Sequence, residues 1–368
     1  MKLSKTSLKV IISGGGTGGH IYPAIAIADE IKLRMPEVEI LFVGALGKME
    51  MEKVPKAGYP IVGLPIVGID RGNLLSNFKF PTKLLRSLKF AKQIIKEFEP
   101  DIAIGTGGYA SGPLLWQAVK QNIPIVIQEQ NSFPGITNKL LKNKAAAICV
   151  AYEGISQFPA EKTYYTGNPI RSEMFQNLSK REDAIQTFGL DPSKKVILSV
   201  GGSQGSRTLN NAWRKGFEQI LESDVQLIWQ TGQLEFKSIR EEIKEDPKGI
   251  HSTEFIYDMK TAFAAADVIV SRAGAMAISE LALVGKPLIL VPFPFASEDH
   301  QTKNAEALVQ KEAALMLTDQ QVPENLVKTT LELVQNQEKQ NSLRENLNKL
   351  GKPNATKEIV DIVLSQLK

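Results

Sequence analysis

The chain has 368 residues, 43% hydrophobic and 23% charged, with 28 glycines, 19 prolines and a formal net charge of +4. That length exceeds one ordinary core and suits two domains of roughly 150 to 200 residues each, and the composition excludes a largely disordered chain. The small positive charge, without an aromatic-studded basic stripe, argues against nucleic-acid binding, and apolar runs such as Pro287 to Phe295 fall short of the roughly 20 residues that span a bilayer.

In chain order, Met1 to Lys9 carries lysines but no apolar signal-peptide core. Short β-branched runs then alternate with amphipathic segments of helix length, the pattern of parallel sheets with helical crossovers. Lys9 to Ser13, Glu39 to Val43, Asp101 to Gly105, Pro124 to Gln128 and Ala146 to Val150 read as strands of the first half. Cys149 falls in the last of these runs and reads as a buried core residue; a lone cysteine forms no disulfide within the chain, which fits a reducing compartment. Val196 to Val200, Val225 to Gln230, Val268 to Ser271 and Pro287 to Val291 read as strands of the second half. The polar stretch Asn177 to Lys195 suits a linker, placed there or slightly earlier near Pro169. Thr356 to Leu367 closes the chain as a short amphipathic helix.

Between the early strands, Pro81 to Phe98 repeats Leu84, Leu88, Ala91, Ile95 and Phe98 at helical spacing, with Lys79, Lys83, Arg86, Lys89 and Lys92 on its other sides. Those basic residues suit either a solvated helix surface or attraction to an anionic membrane.

The glycine loops carry the chemistry. Gly14-Gly15-Gly16-Thr17-Gly18-Gly19 fits the dinucleotide pattern between a strand and a helix, but the second strand ends Phe42-Val43-Gly44-Ala45-Leu46 without the acid that would hold a ribose. A nicotinamide site is therefore disfavoured, and an oxyanion at the start of a helix opening near Ile21 fits better than a plain turn. His20 stands at that helix start, where the dipole disfavours the imidazolium and leaves a neutral imidazole available as a general base. His251 lies in a polar loop and reads as structural, while His300 lies in a helix-start stretch. Gly201-Gly-Ser203-Gln204-Gly205 repeats the strand, glycine loop and helix plan, with no lysine to make a Walker motif. A third loop, from Ser271 to Glu280, again follows a strand; Glu280 is either an exposed helix glutamate or a carboxylate for ribose hydroxyls.

Together these segments resemble the MurG family, the N-acetylglucosaminyltransferases of bacterial cell-wall synthesis. The resemblance spans nearly the whole chain and rests on Gly14 to His20 with Pro23, Gly105-Thr-Gly-Gly-Tyr-Ala-Ser-Gly-Pro113, Glu129-Gln-Asn131 with Thr137-Asn-Lys139, Gly167-Asn-Pro-Ile-Arg171, Gly201 to Gly205 with Leu209-Asn210, Arg272 to Glu280, and Pro292 to Asn304. It implies an α/β GT-B fold of two Rossmann-like domains. Residues 1–168 would accept lipid I and associate with the membrane, residues 353–368 would return to them as a helix, and residues 169–352 would bind UDP-N-acetylglucosamine. It further implies His20 as the base for the acceptor's C4 hydroxyl. Gly14, Gly15, Gly16 and Tyr109 would lie on the acceptor side, and Thr17, Gly18, Gly19 and Asn131 near the donor sugar. On the donor, Arg171 and Ser203 would meet the diphosphate, backbone Ile256 the uracil and Glu280 the ribose. Ala275, Met276, Ala277, Ile278 and Ser279 would form the adjoining loop, and Gln301 would read sugar hydroxyls. His300 departs from the family's paired glutamines.

The product would be β-1,4-linked lipid II of peptidoglycan, made by inversion on the cytoplasmic side of the bacterial membrane by a peripheral enzyme. Without an Asp-x-Asp pair, neither a metal nor another cofactor is expected. The competing readings are another GT-B transferase with a lipid acceptor, the related sugar-nucleotide 2-epimerase, and a non-catalytic nucleotide-sugar-binding subunit.

Overall fold

The alternation of strand and helix is realised as two parallel sheets. The computed structural model describes residues 7–66, 80–170, 178–202, 204–244 and 246–367, so Lys79, Arg171 and Ser203 lie outside the described residues. The chain divides into two units, Met1–Arg171 with Lys352–Lys368, and Ser172–Gly351.

In the first unit β1 (Lys9–Gly14), α1 (Gly18–Arg34), β2 (Glu39–Ala45), α2 (Glu50–Lys56), β3 (Ile61–Leu64), α3 (Phe80–Phe98), β4 (Ile102–Gly107), α4 (Ser111–Lys120), β5 (Ile125–Glu129), α5 (Ile136–Leu141), β6 (Ala147–Val150) and β7 (Thr163–Tyr165) follow in order. The strands run β3-β2-β1-β4-β5-β6-β7 across the sheet, so the order reverses between β1 and β4. Alternation along β1 sends Val10 and Ile12 to one face with Ile21, Ile27 and Ile31 of α1, and Ile11 to the other with Ala91, Ile95 and Leu114 of α3 and α4.

In the second unit α6 (Arg181–Thr187), β8 (Lys195–Val200), α7 (Arg207–Glu222), β9 (Val225–Gln230), α8 (Phe236–Glu242), β10 (Ile250–Thr253), α9 (Met259–Ala265), β11 (Val268–Ser271), α10 (Ala275–Val284), β12 (Leu288–Leu290), α11 (His300–Val309), β13 (Leu315–Met316), α12 (Val322–Gln335) and α13 (Gln337–Leu350) give the sheet order β10-β9-β8-β11-β12-β13. Its reversal falls between β8 and β11. Ligands of open parallel sheets sit outside the carboxyl ends of strands at such reversals.

The chain then returns to the first unit as α14 (Ala355–Ser365). Ile359, Val360 and Val363 are fully buried in the core beside α1, each contributing about 1.5 to 3 kcal/mol by burial. Arg34 of α1 pairs with Asp361 and donates to Lys357 O at 3.1 Å.

Four local expectations need correction. Of the two places offered for the linker, the division between Arg171 and Ser172 agrees with the one near Pro169; the stretch after Asn177 instead holds α6, because Ala184 and Ile185 are buried and Arg181 ties the segment inward through Lys194 O at 2.8 Å and Asp267 at 2.6 Å. The first helix opens at Gly18 rather than near Ile21, with Thr17 as its extended N-cap. His251 belongs to β10, its ring edge-on to Phe188, and burial lowers its pKa. The four strands absent from the sequence reading, β3, β7, β10 and β13, are the four sheet edges.

Candidate active site

In the first unit the site begins where β1 and β4 end. Their register shifts between Ser13 and Gly14, which brings Gly14 opposite Gly107. A Cβ at Gly14 would lie 2.0 Å from Thr106 Oγ1, and one at Gly15 would lie 2.2 Å from Glu50 Oε1. These two glycines are therefore demanded by packing within the fold. The Gly15 N–H donates to Gly107 O at 3.3 Å and the Gly16 N–H to Glu50 Oε2 at 2.9 Å. Glu50 is fully buried and also accepts from Ala45 N at 2.9 Å, so one carboxylate clasps the loop to the end of β2. The amides at the start of α1 are differently placed: Thr17 makes no side-chain cap, so Gly18 and Gly19 begin the helix with its positive end undressed by Thr17.

His20 sits in the first turn of α1, half-buried, with Nδ1 2.9 Å from Thr106 O and 2.9 Å from Gln130 Oε1. A backbone carbonyl only accepts, so Nδ1 carries the proton and Nε2 of the neutral ring keeps its lone pair. Thr106 Oγ1 in turn donates to His20 O at 2.7 Å, fixing the backbone of the same residue. This is the arrangement of a general base whose far nitrogen is held by acceptors.

After β5, Glu129 organises the next loop. Its carboxylate accepts from Asn131 N at 3.0 Å, Gly135 N at 3.0 Å and Asn138 Nδ2 at 2.8 Å, which places Asn131 immediately beyond the end of the strand next to β4. Tyr109 is exposed in the turn between β4 and α4.

In the second unit, Gly202, Gln230, Phe255, Ile256, Ala277 and Glu280 line a hollow of about 180 Å³ beyond the carboxyl ends of β8, β9 and β11. Gln230 ends β9, where its Oε1 accepts the Ile256 N–H at 3.0 Å and its Nε2 donates to Gly202 O at 2.9 Å. One side chain thus fixes both the glycine loop and the backbone at Ile256. Glu280 faces the hollow from α10, and burial pushes its carboxyl up to about 7. The exposed-glutamate alternative is therefore set aside.

Helix α10 starts after Gly274, which offers no side-chain cap, so the first amides at Ala275, Met276 and Ala277 present a positive helix end. The side chains of Ala275 and Ile278 are buried, and Ser279 Oγ donates to Ala275 O at 3.1 Å. Gln301 Oε1 accepts from Phe293 N at 2.9 Å, which orients its amide; the neighbouring His300 Nδ1 donates to Ser297 O at 2.6 Å.

The description Glycosyltransferase family 28 N-terminal domain matches residues 10–150, and Glycosyltransferase family 28 C-terminal domain matches residues 196–359. The chain is 51% identical over 358 residues to the UDP-N-acetylglucosamine–N-acetylmuramyl-(pentapeptide) pyrophosphoryl-undecaprenol N-acetylglucosamine transferase of Parabacteroides distasonis, covering 97% of each chain. It is 51% identical over 360 residues to the same-named protein of Christiangramia forsetii, covering 98% of each. The crystal structure of Acinetobacter baumannii MurG superposes with a TM-score of 0.81 at 28% identity, covering 98% of this chain and 100% of that one. The chain belongs to the MurG family of glycosyltransferases.

Two residues of this MurG-family chain that were singled out in the sequence, Arg171 and Ser203, lie outside the described residues. Three others that shape the sites were given no role: Glu50, Gln130, which lies inside the run Glu129-Gln-Asn131, and Gln230. Gln230 had a signal, a polar residue ending the apolar run Val225–Gln230. Glu50 and Gln130 had little, because their partners are 34 and 110 positions away. Among the described residues no helix is long and apolar enough to cross a membrane.

Proposed function

We propose that this chain transfers N-acetylglucosamine from UDP-N-acetylglucosamine to the C4 hydroxyl of the N-acetylmuramyl group of lipid I, giving β-1,4-linked lipid II. The observation that carries the reading is His20, with Nδ1–H held by Thr106 O and Gln130 Oε1 and Nε2 left as the base. The activity for which the relatives are named supplies the sugar and the acceptor.

In the step, Nε2 of His20 takes the proton of the acceptor hydroxyl as its oxygen attacks the sugar's anomeric carbon. The bond from that carbon to UDP breaks on the opposite side, and the electron pair leaves with the diphosphate. Attack opposite the leaving group turns the α-linked donor into a β product. Helix-start amides at Ala275, Met276 and Ala277, with Arg171 and Ser203, would meet the charge building on the diphosphate. Glu280 would accept from the ribose hydroxyls. The Ile256 carbonyl would accept from the uracil ring N–H, since the Ile256 N–H is already engaged. Gln301 would read the sugar with its amide N–H.

On the acceptor side, the Gly15 and Gly16 amides are taken up within the fold, so Tyr109 is left to line the acceptor, while Thr17, Gly18, Gly19 and Asn131 would approach the donor sugar. The enzyme would work at the cytoplasmic face of the membrane. α3 supports attachment to a membrane surface, because Leu85 and Phe90 stand 67% and 50% exposed beside the exposed Arg86, Lys89 and Lys92. Basic residues near anionic lipid contribute about 1 kcal/mol each, enough in combination for reversible attachment. Co-sedimentation should show binding to vesicles containing phosphatidylglycerol, weakened in Leu85→Ser/Phe90→Ser; equal binding by both chains would remove α3 from the membrane contact.

The function itself is tested by transfer of labelled N-acetylglucosamine to a short-chain lipid I analogue with EDTA present. The native chain should turn over, and His20→Ala should lose turnover while still binding the donor. Donor binding without native transfer would point instead to another acceptor or to a binding subunit.

A further inference from the structure

His20 is held by a chain of side-chain amides whose direction is fixed from end to end. Asn168 Nδ2 donates to Gln130 O at 3.2 Å, and Gln128 Nε2 donates to Asn168 Oδ1 at 2.9 Å. Gln130 Nε2 then donates to Gln128 Oε1, and also to Thr106 O at 2.6 Å. That leaves Gln130 Oε1 as the end of the chain facing His20 Nδ1 at 2.9 Å. Gln128, Gln130 and Asn168 are all at most 1% exposed, so water does not compete for these bonds. Turning the Gln130 amide over would set its N–H against the ring N–H and its oxygen against Gln128 Oε1 and Thr106 O. Each amide is therefore locked by the one behind it.

We propose that Gln130 is a positioning residue for His20, a neutral acceptor that fixes the ring's tautomer and orientation without supplying the negative charge that would favour the imidazolium. This rests on the reading of His20 as the base. Thr106 O holds the same proton, but a single backbone acceptor leaves the ring free to swing about that bond; the second acceptor removes the freedom. A carboxylate in place of Gln130 would attract a proton to the ring and keep Nε2 occupied to higher pH. An amide holds the geometry without adding that charge.

Two variants and one spectrum test the proposal. In Gln130→Glu, the acid limb of the kcat profile against pH should move upward by about one unit or more. In Gln130→Met, which keeps the length but removes the acceptor, kcat should fall on the order of tenfold with the KM for UDP-N-acetylglucosamine unchanged. The imidazole 15N spectrum of the native chain, assigned with His20→Ala, should give a His20 ring protonated at Nδ1 and bare at Nε2. In Gln130→Met a second population protonated at Nε2 should appear. A Gln130→Glu profile that superimposes on the native one, or a Gln130→Met spectrum and kcat identical to native, overturns the role of Gln130. Full transfer by His20→Ala would instead overturn the base itself, and the 15N comparison still judges the tautomer.

Discussion

The two glycine loops share a strand before and a helix after, yet the charges behind them have opposite sign. Behind Gly14 to Gly19 lies the buried Glu50, which takes up the Gly16 N–H. Behind Gly201 to Gly205 lies Arg272. Its guanidinium donates to Ser206 Oγ, the N-cap of α7, at 2.6 Å and pairs with Asp319 at 2.7 Å. A carboxylate behind a loop lowers its attraction for an anion, while a guanidinium raises it, offset here in part by Asp319. On the proposed function the same local fold would serve a hydroxyl nucleophile and its base in one unit, and a diphosphate in the other.

Replacing the base should have the largest effect. His20→Ala is expected to lower kcat by about 10²- to 10⁴-fold without weakening UDP-N-acetylglucosamine binding by calorimetry; a parallel loss of donor affinity would break the division of labour between the loops. Next comes the clasp. Glu50→Ala leaves the Gly16 amide and the buried Ala45 amide unpaired, and urea unfolding should register a loss of about 2 to 4 kcal/mol in the first unit, with the donor site intact.

Arg272→Lys keeps the charge but not the fork that reaches Ser206, Asp319 and Pro292 O together. Donor affinity should drop about tenfold, roughly 1.4 kcal/mol, and an unchanged affinity would show that the guanidinium serves only the fold. The smallest effect is a pH dependence. On the proposed function ribose hydroxyls would donate to ionised Glu280, whose carboxyl burial pushes up to about 7. Affinity should therefore rise as pH climbs toward about 7 and level off above it. Glu280→Gln should flatten that rise.

Legibility in the sequence followed burial. Central strands such as β1, β4 and β9 are buried on both faces and stand out as apolar runs. Edge strands β3 and β13 are only partly covered, and their short runs leave no pattern. At the sites, residues whose chemistry is local could be read: His20 after its glycines, Glu280 in a helix after a loop. Glu50 and Gln130 act through partners far along the chain, so only the assembled sheet brings them to the glycine loop and to the ring.

The return of α14 to the first unit bears on how the protein is made. The core beside α1 includes Ile359, Val360 and Val363, which leave the ribosome only after the whole second unit has been synthesised. During translation the first unit waits with that apolar face open until the last residues emerge. The domain begun earliest cannot be completed before synthesis ends, and deleting the final helix should harm the half of the molecule that lies farthest from it in sequence.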